Sequence, residues 1–157
     1  MEAIVSDEDF EWVSQFSWWA IKGDKGGEDL WYAAREERFA RGRQNRRTIR
    51  MHREIAARAG LPWSRQYDHR DGHGLNNQRG NIRPCTSTQN HANARKRRRK
   101  TSRFKGISWE KRDSSWRACI MINKKQVHLG QRKSEDAAHE LYKAAAKLHF
   151  GEFARTD

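Results

Sequence analysis

Residues 67–90 read YDHRDGHGLNNQRGNIRPCTSTQN, and the fold turns on how this stretch is read. It gathers acids, imidazoles, amides and three arginines among very few apolar side chains. Asp71-Gly72 and Gly74 are turn residues, Gly80-Asn81 form a second turn, and Thr86-Ser87-Thr88 are helix-cap residues just ahead of Asn90. The pattern predicts strand, polar loop, short strand, helix. In so small an element Asp68, His69, Asn81 and Asn90 are expected close together, because a strand end and a first helical turn lie side by side.

Those residue types suit phosphodiester hydrolysis, which needs an activated water and a cation on the developing phosphorane charge. His69 is the expected general base, since a neutral imidazole near pH 7 accepts a proton from water. Asp68, on the opposite side of the strand, offers a hard oxygen to a divalent ion, and Asn90 a second one. Two oxygen ligands leave most of an octahedron open, the manner in which Mg2+ or Mn2+ is held; zinc prefers nitrogen or sulfur and is not expected. His69 and His73 share a zinc-like spacing, but Gly72 and Gly74 flank the second and no thiolate helps. His91 is expected on solvent or backbone phosphate, and Arg79 and Arg83 are candidate phosphate clamps.

Upstream, Ser6-Asp7-Glu8-Asp9 reads as a helix start with Phe10, Val13 and Phe16 on one face. Residues 18–21 and 30–34 flank a glycine-bearing loop at 22–27 and predict a two-stranded sheet in which the tryptophans are core. The arginine-rich stretch 41–50 predicts a loop and a short strand near 48–51, then a helix from His52 ended by Gly60, with His52 a structural hydrogen-bonding group. Downstream, Arg95, Lys96, Arg97, Arg98, Arg99 and Lys100 form a basic run, expected to track DNA between two modules. Three β-rich segments, 104–109, 115–122 and 126–130, come next with turns between them, then a helix from Ser134 whose Ala137, Ala138, Leu141, Tyr142, Ala145 and Leu148 make one stripe. The stripe should pack on one sheet face and leave basic and aromatic side chains on the other.

The totals agree with two small modules: 157 residues, 35% apolar and 34% charged, leave little for one large core. Cys85 and Cys119 form neither a C-x-x-C pair nor a disulfide framework. No apolar run reaches the roughly 18 residues of a membrane helix, and the acidic start is no secretory signal, so a cytoplasmic, not secreted, protein is expected. Charge is uneven: residues 1–40 carry 4 Lys/Arg against 10 Asp/Glu, residues 41–133 carry 26 against 5, and residues 134–157 carry 3 against 5. A basic middle between acidic ends points to a polyanion, and double-stranded DNA is the expected partner, with no membrane role.

Asp68-His69, Asn81 and Asn90, within DHRDGHGLNNQRGNIR and its continuation, closely resemble the HNH nucleases of ββα-metal fold, most of all the phage and intron homing endonucleases. The resemblance implies Asp68 and Asn90 as metal ligands, His69 as the activator of water and Asn81 as the residue that orders the loop. Asn90 stands where many relatives have histidine, and a further histidine one turn on is absent at Ala94. Residues 104–155, beginning FKGISWEKRDSSWRACI, resemble the DNA-binding domain of plant ethylene-response-factor (Apetala-type) proteins, also found fused to HNH nucleases. That resemblance implies DNA contacts at Lys105, Trp109, Arg112, Trp116, Arg117, Gln126 and His128. Trp116 reads equally as core, and Ser108, Met121 and Gln126 stand where plant arginines would. The expectation is an α+β chain with an HNH module at 1–100 (ββα core about 48–97) and a three-stranded antiparallel sheet packed on one helix at 101–157. A magnesium-dependent site-specific endonuclease would nick as a monomer or cut both strands as a homodimer; the competing reading is a DNA-binding protein with a vestigial site.

Overall fold

Three acids in its first turn, Asp7, Glu8 and Asp9, start helix α1 (Asp7–Val13), where the helix dipole favours negative charge. The computed structural model describes residues 1–23, 30–38, 45–96 and 101–156. The loop at 24–29, the arginine-rich residues 41–44 and the basic residues Arg97, Arg98, Arg99 and Lys100 lie outside the described residues. The described residues form α+β structure with three small antiparallel sheets and four α-helices. They divide into two units, residues 1–85 and 86–157.

In the first unit, strands β1 (Trp19–Lys22), β2 (Trp31–Arg38) and β3 (Arg46–Arg50) pair antiparallel in that order. The sheet has one strand more than expected, because the short strand after the arginine-rich loop returns along β2. Its charges are complementary: Arg47 faces Glu37 in the register, and Arg46 and Arg47 pair with Glu36 (2.9 Å) and Glu37 (2.5 Å). Helix α2 (Met51–Arg58) begins at once after β3 and ends at Gly60, whose φ of +67° is left-handed. Strands β4 (Gln66–His69) and β5 (Ile82–Cys85) make the second antiparallel pair, with His69 opposite Ile82 and Asp68 opposite Arg83. Val13, Ala33, Met51, Ile55, Ala56 and Ile82 form the core, and Trp12, Trp18, Tyr67 and Leu75 pack against it. Trp18 is core, as read from the sequence, whereas Trp19, expected there too, is 44% exposed.

The second unit opens with α3 (Ser87–Asn93), so the expected succession of strand, loop, strand and helix is kept along the chain. Strands β6 (Ile107–Glu110), β7 (Ser115–Ile122) and β8 (Lys125–Arg132) form an antiparallel meander, and α4 (Glu135–Phe150) packs on it. Asn123 and Lys124 both take positive φ (49° and 65°), the conformation of a tight hairpin turn that matches strand twist. Ala138 and Tyr142 of the expected stripe are buried, with Ala146 beside them, whereas Leu148, expected within it, is 81% exposed. Gly106 has φ +74°, and a Cβ there would collide with the Tyr142 ring and the Cys119 carbonyl. Both cysteines are free. No helix among the described residues is long and apolar enough to cross a membrane.

The unit boundary falls at Cys85, not near residue 100, because α3 is tied to Lys105 and Arg155 of the second unit. Lys105 Nζ donates to the carbonyls of His91 (2.9 Å), Ala92 (2.6 Å) and Ala94 (2.8 Å), and Arg155 N donates to Ala92 O (3.4 Å). These are the carbonyls that a helix end leaves unsatisfied.

Candidate active site

The end of β4 carries Asp68 and His69, the two candidates read from the sequence. Asp68 and His69 are only 6% and 5% exposed. Arg83, directly across the ladder, donates from Nε (3.1 Å) and Nη2 (2.9 Å) to Asp68 Oδ2. A buried carboxylate without a cationic partner would be costly, and Arg83 is that partner. Its expected role as a phosphate clamp is therefore corrected to an internal one. Arg79 is corrected in the same way: Nε and Nη2 donate to Asp9 Oδ2 and Oδ1 at 2.7 and 2.8 Å, and Asp9 is fully buried. The Arg79 hydrogen bond, above all, holds the Asp9 carboxyl below the usual carboxylate range.

His69 lies in an aromatic and amide pocket. Its ring centroid is 5.0 Å from His52 and 5.8 Å from Tyr32, and its Nε2 is 3.5 Å from Asn77 Oδ1. Burial pushes its pKa below the ordinary imidazole value; the Asn77 hydrogen bond and the charges of Asp71 and Asp68 oppose that only in part. A neutral ring at physiological pH is what a general base requires. His52, in the first turn of α2, is pushed well below the ordinary value by burial, then by His69, Arg50 and Arg53. Its Nδ1 has no hydrogen-bond partner among the described residues, so the hydrogen bond expected of it is not made there.

The loop between β4 and β5 is built around Asp71 and Asn81. Asp71 Oδ1 accepts from His73 N (2.8 Å) and Asn81 Nδ2 (3.0 Å), and Oδ2 accepts from Asn76 Nδ2 (2.8 Å). Burial pushes the Asp71 pKa up, but these hydrogen bonds outweigh it and hold the group ionised. Asn81 also donates to Asn76 O (2.7 Å) and accepts from Asp71 N (3.1 Å). Asn81 thus ties both ends of the loop, the structural part expected of it. Gly74 lets the loop lie against β2, since a Cβ there would meet the Trp31 carbonyl and the Tyr32 ring.

Asn90 lies half-buried on α3, in the second unit. Its helix starts with a full capping box: Thr86 Oγ1 accepts from Gln89 N (3.2 Å) and Gln89 Oε1 accepts from Thr86 N (2.8 Å). Asn90 N donates to Thr86 O at 2.9 Å, which places Asn90 in the first turns, as read from the sequence. Among the described residues no group of three His, Cys, Asp or Glu side chains could hold a metal ion. Asp68, in the first unit, has Oδ2 held by Arg83, and Asn90, in the second, carries an amide oxygen; each is the type of donor a hard ion takes.

The second unit redistributes the expected DNA contacts. Lys105 caps α3, so its expected role on DNA is corrected. Trp109 and Trp116 are cross-strand partners, 5.2 Å apart edge to face, and share the side of the sheet that bears Ile107 and Ala118. Trp116 packs on the core with α4, and Trp109 is 39% exposed beside it. The outer face is therefore not aromatic: Arg117, Met121, Gln126, His128 and Gln131 line it by register, and Gln126 and His128 are exposed. Arg117 Nη1 lies 3.5 Å from Glu110 Oε2, and exposed Arg112 donates from Nε to Asp113 Oδ1 (3.2 Å). Arg95 is exposed and Lys96 half-buried.

Tyr32 and Asn77, beside His69, and Asp71, at the centre of the loop, were not among the site residues expected from the sequence. Asp71 had a local signal, because Asp-Gly-His allows an Asx turn with the amide two residues on. Asn77 had none, because its position depends on Ile4, far away in sequence: Asn77 N donates to Ile4 O (2.6 Å).

No family model and no solved structure matches the chain. It is similar to Protein 3.8 of Escherichia phage T7, 32% identical over 100 residues that span 64% of this chain and 82% of that protein. Identity at that level, over most of the phage protein's length, shows common descent, and the chain belongs to the family of phage T7 Protein 3.8.

Proposed function

We propose that the chain is a magnesium-dependent DNA endonuclease of HNH type, with the second unit supplying part of the DNA address. The observation that carries this reading is the pair at the end of β4: a buried carboxylate, Asp68, beside a buried neutral imidazole, His69, next to a loop braced by Asn81. His69 accepts the proton of the attacking water; Asp68 would give Mg2+ or Mn2+ an oxygen in competition with its ion pair to Arg83, and Asn90 is the second donor that the HNH resemblance assigns. That ion, when bound, supplies positive charge to the developing phosphorane and the leaving oxygen. Asn81 keeps the loop in one conformation while the substrate is held. Arg112, Arg117, Gln126 and His128 on the second unit, with the basic run from Arg95 onward, are the proposed DNA contacts; Trp109 contributes from the edge of the sheet. The basic middle of the chain supports a polyanionic partner, and kinship with a phage protein supports a phage setting.

The test is supercoiled plasmid incubated with the protein in Mg2+. Nicked circles are expected with wild type, linear DNA as well if two copies act on one site, and neither with His69→Ala or in excess chelator. A wild type that leaves plasmid intact, or a His69→Ala variant as active as wild type, defeats the reading. The engagement of Asp68 by Arg83 favours one alternative, a DNA-binding protein with a vestigial site. It predicts retarded DNA in a shift assay and no cleavage under any divalent ion.

A further inference from the structure

The polar residue buried most completely in the first unit besides Asp9 is Asn77, at 0% exposure. Within the loop its amide meets the Leu75 carbonyl, and the backbone on either side is held from outside. Its seat comes from the N-terminal arm: Ile4 N donates to Leu75 O (2.9 Å) and Asn77 N donates to Ile4 O (2.6 Å), a parallel bridge to the loop around Asn76. Two further ties fasten the arm to the same loop. Arg79 N donates to Ser6 Oγ (3.0 Å), and the Arg79 guanidinium pairs with buried Asp9.

The seat also fixes which way the Asn77 amide points. Asn77 Nδ2 donates to Leu75 O at 3.0 Å, which a flipped amide could not do, so Oδ1 is the atom turned to His69 Nε2 at 3.5 Å. An acceptor 3.5 Å from Nε2 favours the imidazole tautomer that carries its proton on Nε2, which places the ring's lone pair on Nδ1. We infer that Asn77 is a positioning residue for His69, seated by the N-terminal arm, and that it sets the tautomer in which Nδ1 is the basic atom. The inference rests on the endonuclease reading for its use, since a base must present its lone pair to water. It goes beyond that reading by making residues 4–9 part of the site. Outer partners of this kind orient metal-ligating imidazoles in other sites, where losing one costs about tenfold to a hundredfold in metal affinity or activity, and a loss of the same order is expected here.

The experiment is long-range 1H–15N correlation on metal-free protein labelled with 15N-histidine, which reads the tautomer of His69 without any cleavage, alongside plasmid nicking in Mg2+. Wild type is expected to hold His69 as the Nε2–H form. Asn77→Leu, which keeps size and loses the acceptor, is expected to give mixed tautomers and nicking lowered roughly tenfold to a hundredfold, while Asn77→Asp, which keeps an acceptor, retains the Nε2–H form. Ile4→Pro, which removes the arm's donor to Leu75, is expected to shift the tautomer in the direction of Asn77→Leu. Wild-type His69 in the Nδ1–H form overturns the inference even if every variant misfolds, and so does an unchanged tautomer in folded Asn77→Leu. An Nε2–H form in a wild type that cuts nothing would uphold the seating and defeat the endonuclease reading alone.

Discussion

At the scale of single residues, the first unit stores unusual ionic and imidazole chemistry in a small volume. Asp68 and Arg83 are both nearly inaccessible, with side chains 7% and 5% exposed, so neither can lose its partner cheaply. Arg83→Met is expected to cost about 3–5 kcal/mol, because it leaves a buried carboxylate unpaired. Asp68→Leu combined with Arg83→Met should recover much of that loss. Urea unfolding monitored by tryptophan fluorescence measures both, and a single variant within 1 kcal/mol of wild type, on the order of a surface substitution, would contradict the pairing. The two imidazoles make a separate prediction about pH. Both His52 and His69 are held below the ordinary value of 6.5 when folded. As pH falls through about 6.5 the unfolded chain takes up protons that the folded chain refuses, so stability is complete above that pH and declines below it. Each such histidine contributes a slope of at most about 1.4 kcal/mol per pH unit. Unfolding midpoints at about pH 7.5 and about pH 5.5 should differ in wild type and differ less in His52→Met; an equal difference would remove His52 from the effect.

At the scale of elements, α3 shows how strongly a short helix depends on its ends. Seven residues do not sustain a helix in water by themselves. Here Thr86 and Gln89 satisfy the first turn, and the Lys105 ammonium takes three carbonyls at the last. Thr86→Ala is expected to lower the local stability of α3 by about 1 kcal/mol, seen as faster amide exchange at Gln89 and Asn90 with the β7 amides unchanged. Lys105→Met should open the other end of the same helix and, under the endonuclease reading, reduce nicking through Asn90 without touching the outer sheet face. Cutting the chain at residue 103 would remove Lys105 and strip α3 of its cap, so it does not isolate a nuclease from its address. The sheet of the second unit has a comparable single point of failure. At Gly106 alanine would need a left-handed φ and would strike Tyr142 and the Cys119 carbonyl, and Gly106→Ala is expected to cost well over the roughly 1 kcal/mol of an ordinary glycine replacement.

At the scale of the whole chain, the charge distribution dominates. Residues 41–133 carry 26 Lys/Arg against 5 Asp/Glu, yet several of those cations are already engaged by internal carboxylates or carbonyls: Arg79, Arg83 and Lys105 among them. A count of basic residues therefore overstates how many phosphates the chain can neutralise. Replacing Arg95 and Lys96 with glutamine is expected to reduce the slope of log affinity against log salt by about 0.9 for each phosphate no longer neutralised, whereas Arg79→Gln should change stability more than the slope. Fluorescence anisotropy of labelled duplex over a salt series measures both, and a full loss of slope in Arg79→Gln would return that residue to the DNA interface.

Local chemistry determined what was legible in the sequence. Turn glycines, the Thr86 cap, the strand periods of 104–130 and the small-residue stripe of α4 each act over a few residues, and each element came out where those signals lay. Asp68, His69, Asn81 and Asn90 stood out as candidates because of residue type, spacing and the HNH resemblance these carry. What the sequence could not decide was which partner each charge or amide would meet. Arg79 reaches Asp9 across 70 positions, β3 returns to β2 to make a third strand, Lys105 folds back on α3, and the N-terminal arm seats Asn77 against His69. Each of those outcomes depends on long-range burial, where an unpaired charge or amide is expensive. Only the folded chain fixes which groups are buried together.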